Sequence, residues 1–430
     1  MSALKEVKKV YFKTFGCRTN FFDTQVMKSN LGQFECVECE SEADIVIVNS
    51  CTVTNGADAG VRGYLHKMRD LNKKVYFTGC GVGTRGQEVF SQNLAYGVFA
   101  HSFKENISEL LHNKERFFHK EDSPEHIDST IVTEFAGKSR AFLKIQEGCD
   151  FACSYCIIPS VRGKARSYPK DKILKQILTL AESGISEVVL TGTNVGSYGR
   201  DLDSNLAGLI REIYNLGVLR RLRIGSLEPS QIDSEFKEVL ELPIMEKHLH
   251  IALQHTSDTM LEIMNRHNRV ESDLELFNYF AQKGFCLGSD FIVGHPGESE
   301  SVWEEALANF KLFPLTHLHP FVYSKRDGTK SSEMKNDIKG DVSKQRLHTL
   351  KDIVAQNNVA FRKAHKAPLN VLCESKIESS NTESSKGFVY TGLDEFFNRM
   401  RFESEKDNLI GQWLTFKDYD IAMEQNNGKI

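Results

Sequence analysis

Residues Ala141–Arg162, AFLKIQEGCDFACSYCIIPSVR, constrain this chain more than any other stretch. Ala141–Gln146 alternates as a strand does, and Gly148 permits the turn that gathers Cys149, Cys153 and Cys156 into one compact loop. Structural zinc takes four ligands, usually from paired CxxC knuckles, and disulfides consume cysteines in pairs. CxxxCxxC matches neither. Iron–sulfur clusters are ordinarily closed by four thiolates, so three would hold three irons of a cube and leave the fourth open to a substrate. The plainer alternative is three incidental thiols, because free cysteine often serves as a small buried hydrophobe.

The chain of 430 residues suffices for two or three domains, each with its own core. Lys+Arg 54 against Asp+Glu 58 leaves a net charge of -4, so any nucleic-acid contact must come from local basic patches. The opening MSALKEVKKVYF lacks the apolar run of a signal peptide, and no stretch reaches the ~18 apolar residues of a membrane span. Ten cysteines, scattered rather than framed as disulfides, suit a reducing compartment with metal ligands. The expectation is a cytoplasmic protein with no membrane partner.

Residues 1–118 read as a small open α/β sheet domain, with strands near Lys8–Thr14, Asp44–Asn49, Lys74–Thr78 and Gly97–Phe99 and helices near Phe22–Leu31, Asn55–Leu71 and Lys104–His112. Three of those strands run into a cysteine after a small residue: TFGC at Cys17, VNSC at Cys51 and FTGC at Cys80. The carboxyl ends of parallel strands share one edge, where such folds build ligand sites, so three thiols far apart in sequence can converge on a second open cluster. Unrelated turn cysteines are the bland alternative. Cys36 and Cys39 form a CxxC, yet FECVECE looks like a short strand, on which positions three apart point to opposite faces. Cys286 and Cys373 sit in apparent strands and read as core.

Residues 119–138 are polar and aperiodic, as a linker should be. From 139 to 365 six strands alternate with helices, which argues for a partial parallel barrel, (β/α)6, closed off by a long helix at Val342–His365. Barrels of this kind keep their sites in the loops after the strands, and the cysteine loop follows the first strand. TGTNVGSYG follows the second, and Gly192 and Asn194 in it are the candidate ligand contacts. Glu228, Gln254 and His255 occupy comparable positions after later strands. Residues 366–425 read as short strands of a small five-stranded barrel, in which Arg399 and Arg401 with Tyr390, Phe396 and Phe397 offer charge and stacking for RNA.

With both trios placed, nearly the whole chain, from about Val10 to about Ala422, resembles the methylthiotransferase family of radical S-adenosylmethionine (SAM) enzymes. The resemblance implies two 4Fe-4S clusters, one on Cys17, Cys51 and Cys80 and one on Cys149, Cys153 and Cys156, and a C-terminal module like the TRAM domain. It implies two uses of SAM: one molecule, chelated at the second trio, yields a deoxyadenosyl radical that abstracts hydrogen, and another methylates sulfur held at the first. CTVT at Cys51–Thr54 and GTNVGSYG resemble the branch acting on carbon 2 of threonylcarbamoyladenosine beside the tRNA anticodon, at position 37. Sister branches modify isopentenyladenosine in tRNA or an aspartate of a ribosomal protein. Implied partners are a tRNA, an electron donor such as flavodoxin or ferredoxin, and a sulfur source. A non-enzymatic iron–sulfur redox sensor that binds RNA is the rival class, and two open trios speak against it.

Basic clusters compatible with tRNA are Arg162, Lys164 and Arg166 after the cysteine loop, Arg220, Arg221 and Arg223 before the third barrel strand, and RHNR at Arg266–Arg269. The first is the leading candidate because it adjoins the loop. A charge run is commonly only a solvated face.

Overall fold

The computed structural model describes residues 7–121, 123, 125–133, 135, 139–377 and 387–429. Of the expected linker, residues 122, 124, 134 and 136–138 lie outside the described residues, as do 1–6 of the first unit and 378–386 of the last.

The first unit is a parallel sheet of six strands: β1 (Lys9–Thr14), β2 (Glu35–Cys36), β3 (Ile45–Ser50), β4 (Lys74–Gly79), β5 (Gly97–Phe99) and β6 (Phe117–His119), in the order β2-β1-β3-β4-β5-β6. Four helices connect them: α1 (Arg18–Ser29), α2 (Asn55–Asp70), α3 (Gly81–Ser91) and α4 (Ile107–His112). Every residue of β3, IVIVNS, is buried, as a central strand covered on both faces requires. Helix α1 starts directly after Cys17, four residues earlier than its apolar pattern suggests, because RTNF continues the turn that the cysteine begins. The edge strand β6 was not expected; it ends where the linker begins.

The second unit comprises β7 (Ala141–Glu147), α5 (Ile158–Arg162), β8 (Arg166–Ser167), α6 (Lys170–Glu182), β9 (Glu187–Gly192), α7 (Leu206–Asn215), β10 (Arg221–Ile224), α8 (Ser234–Val239), β11 (His248–His250), α9 (Asp258–Ile263), α10 (Val270–Gln282), β12 (Cys286–Val293), α11 (Glu300–Phe310), β13 (His317–Val322) and α12 (Gly340–Ala364). Strands β7, β9 and β10 pair in parallel, as do β11, β12 and β13, and parallel bridges Leu222↔Met245 and Leu227↔Ile251 join the two sets. Six parallel strands therefore follow one another in chain order, and the sheet starts at β7 and stops at β13. The two-residue β8 is antiparallel to β7 and folds the cysteine loop back on the strand that launches it. Val132 and Phe135, from the expected linker, are buried in the barrel's main apolar core with α6 and α7 residues, so that stretch is anchored despite its polar composition.

The last unit is a curled sheet of β14 (Leu369–Ile377), β15 (Phe388–Leu393), β16 (Arg399–Ser404), β17 (Trp413–Phe416), β18 (Asp420–Ile421) and β19 (Asn426–Lys429), ordered β17-β14-β15-β16-β19-β18. It has six strands rather than five. The extra one, β19, is NNGK, whose polarity hides a strand paired in parallel with β16. Strand β16 begins only at Arg399, because the Asp394 side chain accepts from Phe396 N at 2.9 Å and Asn398 N at 2.7 Å, and Phe397 between them has φ 67°. The turn that results throws the Phe397 ring onto the barrel.

Gly148 marks the tightest point of the fold. Its φ is 72°, and a Cβ there would meet Lys164 O at 1.9 Å. Gly184, at the end of α6, shares the left-handed backbone with φ 87° but has nothing within 4 Å. Gly148→Ala is therefore expected to lower stability by roughly 3 kcal/mol or more, and Gly184→Ala by only about 1 kcal/mol. Urea midpoints of the two variants, at unchanged m, check the ordering.

Candidate active site

Strands β1, β3 and β4 are neighbours running in one direction, so the cysteines that follow them emerge on one sheet edge. Cys17 and Cys80 immediately precede α1 and α3, and Cys51 follows β3 directly. Cys51 and Cys80 are buried and Cys17 is exposed. The positive φ of Gly16, 94°, goes with a close approach: a Cβ there would stand 2.6 Å from Cys51 Sγ. Burial pushes the Cys51 thiol up to about 12, and the Cys80 and Cys17 sulfurs push the same way. Burial also raises Cys80, while the Arg162 guanidinium works against it.

The second trio hangs between β7 and α5, all three thiols partly buried. Its loop is pinned by main-chain bonds, Cys149 N to Gly163 O at 3.1 Å and Cys156 N to Cys153 O at 3.1 Å. The end of α9 holds it from outside: Ser154 N donates to Met264 O at 2.9 Å and Asn265 Nδ2 to Ala152 O at 2.8 Å. Burial, then the neighbouring sulfurs, raise Cys156 to about 12. Arg266 lies 3.9 Å from Cys153 Sγ and donates to Glu228 at 2.6 Å.

One cleft is lined by Cys156 of the second trio and by Val53 and Thr54, which follow Cys51 of the first. Val53 and Thr54, just beyond Cys51, form one wall and Tyr155 to Ile158 form another, with Gln254 and Asp290 across from them. It encloses about 810 Å³, solvent-open space included. The loop after β13 ties the walls together: Arg326 donates to Val53 O at 3.1 Å and pairs with Asp58 of α2.

Behind the cleft a buried charge network joins the two sites. Arg162, at the end of the helix leaving Cys156, donates Nε–H to Cys80 Sγ at 3.3 Å and bonds Asp23 at 3.0 Å, Glu147 and Asn20. Lys144 reaches Asp23 at 2.6 Å, Asp128 at 2.8 Å and Glu147 at 2.9 Å, and Lys104 reaches Asp23 at 2.7 Å. Against the cost of burial, these cations hold Asp23 and Asp128 well below the usual carboxylate range and bring Glu147 down to about 2. The same carboxylates keep Lys144 and Arg162 firmly charged.

The remaining candidates divide. Asn194 lies beside the second trio, its Nδ2 3.8 Å from Cys149 Sγ, and its buried Oδ1 has no partner. Gly192 abuts Gln146, where a Cβ would meet the main-chain O at 2.9 Å, so its small size already has a packing reason. Gln254 faces the cleft, with φ 65°. His255 does not: it is buried against Glu298 at 3.2 Å. Each basic cluster is internal in part, which removes its buried members as tRNA contacts, while Arg269 keeps a half-exposed side chain. Arg162, Arg221, Arg223 and Arg266 are buried in ion pairs, Arg166 bonds carbonyls of its own loop, and Lys164 and Arg220 stay exposed. The stacking candidates are packed too: Tyr390 is core, Phe396 sits on Phe361 and Phe397 on His248. Arg399 and Arg401 do face outward on β16. Cys36 and Cys39 are exposed free thiols, and Cys286 and Cys373 are fully buried. Sequence reasoning overlooked Lys144 and Asp23; the signal was a lysine in the strand AFLKIQE between Leu143 and Ile145, both of which are buried in the apolar core.

Known proteins resemble the chain along its length. Residues 9–100 match the Uncharacterized protein family UPF0004, and residues 143–309 match the Radical SAM superfamily. A Helicobacter pylori (strain J99) protein, provisionally named a methylthiotransferase, is 54% identical over 98% of this chain and 99% of its own. The threonylcarbamoyladenosine tRNA methylthiotransferase MtaB of Aquifex aeolicus is 33% identical over 83% of this chain and 90% of its own. A tRNA-2-methylthio-N(6)-dimethylallyladenosine synthase of Fervidobacterium nodosum is 29% identical over 98% of this chain and 99% of its own. Among solved structures, the radical SAM methyltransferase TsrM of Kitasatospora setae matches in fold with a TM-score of 0.58, 14% identity, and coverage of 76% of this chain and 77% of that one.

Removing one member of a buried ionic network strands the others. Arg162→Gln is expected to cost roughly 3–5 kcal/mol, because Asp23 and Glu147 lose a buried counter-charge. The depressed carboxylates also set an acid limit. Their stabilisation is complete above the unfolded-state pKa of ~4 and is lost as pH falls toward the folded value of about 2 for Glu147. Urea midpoints from pH 7 to pH 3 are expected to fall with pH in the wild type and less steeply in Glu147→Gln, which starts lower.

Proposed function

We propose, on the premise that this chain belongs to the methylthiotransferase family of radical SAM enzymes, that it adds a methylthio group to carbon 2 of N6-threonylcarbamoyladenosine at position 37 of tRNA. The carrying observation is the single cleft bordered by Val53 and Thr54 beyond Cys51 and by the Cys156 loop, since sulfur insertion needs a carbon to meet a hydrogen-abstracting centre and a sulfur-bearing one. The family brings a 4Fe-4S cluster and SAM. We assign that cluster to Cys149, Cys153 and Cys156, and a second cluster to Cys17, Cys51 and Cys80.

Both trios fit such a group. Each offers three soft donors, and burial raises Cys51 in the first and Cys156 in the second to about 12, so a bound cation would be what keeps those thiols ionised. Asn194 suits SAM, because its unpartnered Oδ1 is a hydrogen-bond acceptor beside Cys149, and Gly192 shapes the same loop. When bound, the clusters would pass on the reducing electron and hold the sulfur delivered to them, while one SAM would supply the radical that takes the hydrogen and a second would supply the methyl group. The protein's own share is positional: Arg162 compensates charge at Cys80, and Tyr155, Ile157 and Ile158 keep water from the reacting carbon. Gln254 and Asp290 give the opposite wall polar groups that can orient a base. An electron carrier of the flavodoxin or ferredoxin class and a sulfur source complete the reaction, in the cytoplasm where tRNA is processed.

The threonylcarbamoyl branch is favoured by the relatives of that name at 33% and 31% identity. The second reading, isopentenyladenosine in tRNA, draws on dimethylallyladenosine synthases at 29–30%. Mass spectrometry of tRNA nucleosides from cells with and without the gene separates them: the methylthio form of threonylcarbamoyladenosine is expected to vanish while its precursor accumulates. Loss of the isopentenyl derivative instead would transfer the assignment to the second reading. In vitro, Cys149→Ala is expected to abolish SAM cleavage, whereas Cys17→Ala, Cys51→Ala and Cys80→Ala retain cleavage and lose sulfur insertion.

A further inference from the structure

The tripeptide HLH occurs twice, as His248–His250 in β11 and at His317–His319 in β13, on the two strands that flank β12. Register pairs His250 and His317 with Gly288, and His319 with Asp290. Alternate residues of a strand share a face, so four imidazoles and one carboxylate converge on the same side of the sheet around Gly288. A Cβ on Gly288 would stand 2.8 Å from His250 Nδ1 and 3.0 Å from His248 Nε2. The missing side chain is what makes room for the rings.

Within this group, His250 Nε2 and His319 Nδ1 approach the same oxygen, Oδ1 of Asp290, at 3.1 Å and 3.5 Å. The donor atoms of all three residues lie within 4.8 Å of one another. Two ligands bound at ~2.1 Å to one octahedral or tetrahedral ion stand roughly 3.0–3.5 Å apart, which matches both separations. His250 is 9% exposed and its Nε2 is buried against Asp290, while the buried Nε2 of His248 has no hydrogen-bond partner among the described residues. The His250 and His319 rings stack with centroids 4.7 Å apart and an interplanar angle of 27°.

We propose that His250, Asp290 and His319 bind a divalent first-row transition ion, of the Mn²⁺, Fe²⁺ or Zn²⁺ class, distinct from both cysteine trios. Two imidazoles and one carboxylate on one side of an ion leave coordination positions open. Asp290 lines the cleft that also contains Cys156, and the His319 side chain is 56% exposed, so the group borders the cleft through Asp290 and is open to solvent through His319. Ser226 supports the carboxylate by donating to its other oxygen at 3.4 Å.

Mn²⁺ is the probe of choice, because it prefers nitrogen and oxygen to thiolate. Titrated into holoenzyme with oxidised, EPR-silent clusters, bound Mn²⁺ is read as loss of the sharp aqueous Mn²⁺ signal. One Mn²⁺ per chain is expected, with binding weakened at least about tenfold in Asp290→Asn and in His319→Ala. Iron content and cluster absorbance equal to wild type identify a folded variant, and His319→Ala, at a partly exposed position, decides the matter if Asp290→Asn does not fold. Mn²⁺ left free by the wild type, or bound equally well by a folded variant, would overturn the assignment.

Discussion

The salt-bridged core formed by Asp23, Lys104, Lys144, Glu147, Arg162 and Asp128 is the interaction on which the rest of the structure depends. Its members come from the first sheet's helices, from the connecting stretch and from the barrel's first strand and helix. Buried ion pairs contribute little net stability compared with apolar packing, since desolvation offsets most of the attraction. What they do supply is register: an apolar interface tolerates sliding, whereas an unpaired buried charge does not. Arg162 illustrates the result. Six residues beyond Cys156, it reaches Cys80, so the relative placement of the two trios is set by a short helix and a hydrogen bond.

Much of this was legible in the sequence because periodicity and punctuation agree. The parallel sheet, the six barrel strands and both cysteine trios follow from apolar runs ending in small residues and cysteines. The failures share a physical cause. Strand β19 is polar along its length, so only its pairing with β16 makes it a strand. Arg162, Arg221, Arg223 and Arg266 looked like surface charge because burial of a cation depends on partners distant in sequence, Asp23 for one and Glu187 for two others. Tyr390 and Phe397 misled similarly: an aromatic that could stack on a base can equally fill a core. The paired HLH tripeptides were overlooked because neither is unusual until β12 brings them to one face.

The curled C-terminal sheet forms an integral contact with the barrel. Arg221 and Arg223 reach carbonyls of Asn370, Leu393 and Asp394, Lys247 N donates to Glu395 O, and Trp413 Nε1 bonds Ser186 at 2.8 Å. Inside, burial raises Glu246 and Asp394 each to about 7. These groups tolerate enclosure because the arginines between them have nowhere else to direct their charge.

Phe397 gives that contact its meaning. Held in a left-handed turn by Asp394, its ring stacks on His248 and lies near Arg18 and Arg223. Arg18 belongs to the first sheet's helix, His248 and Arg223 to the barrel, and Phe397 to the last unit, so three segments that look separable on paper meet at one aromatic ring. The chain reads as three units in sequence, and their packing joins them at this ring. Cutting it ahead of Leu369 would yield a barrel with its charged floor open to water, and swapping in a C-terminal module from elsewhere would require a new plug of matching shape.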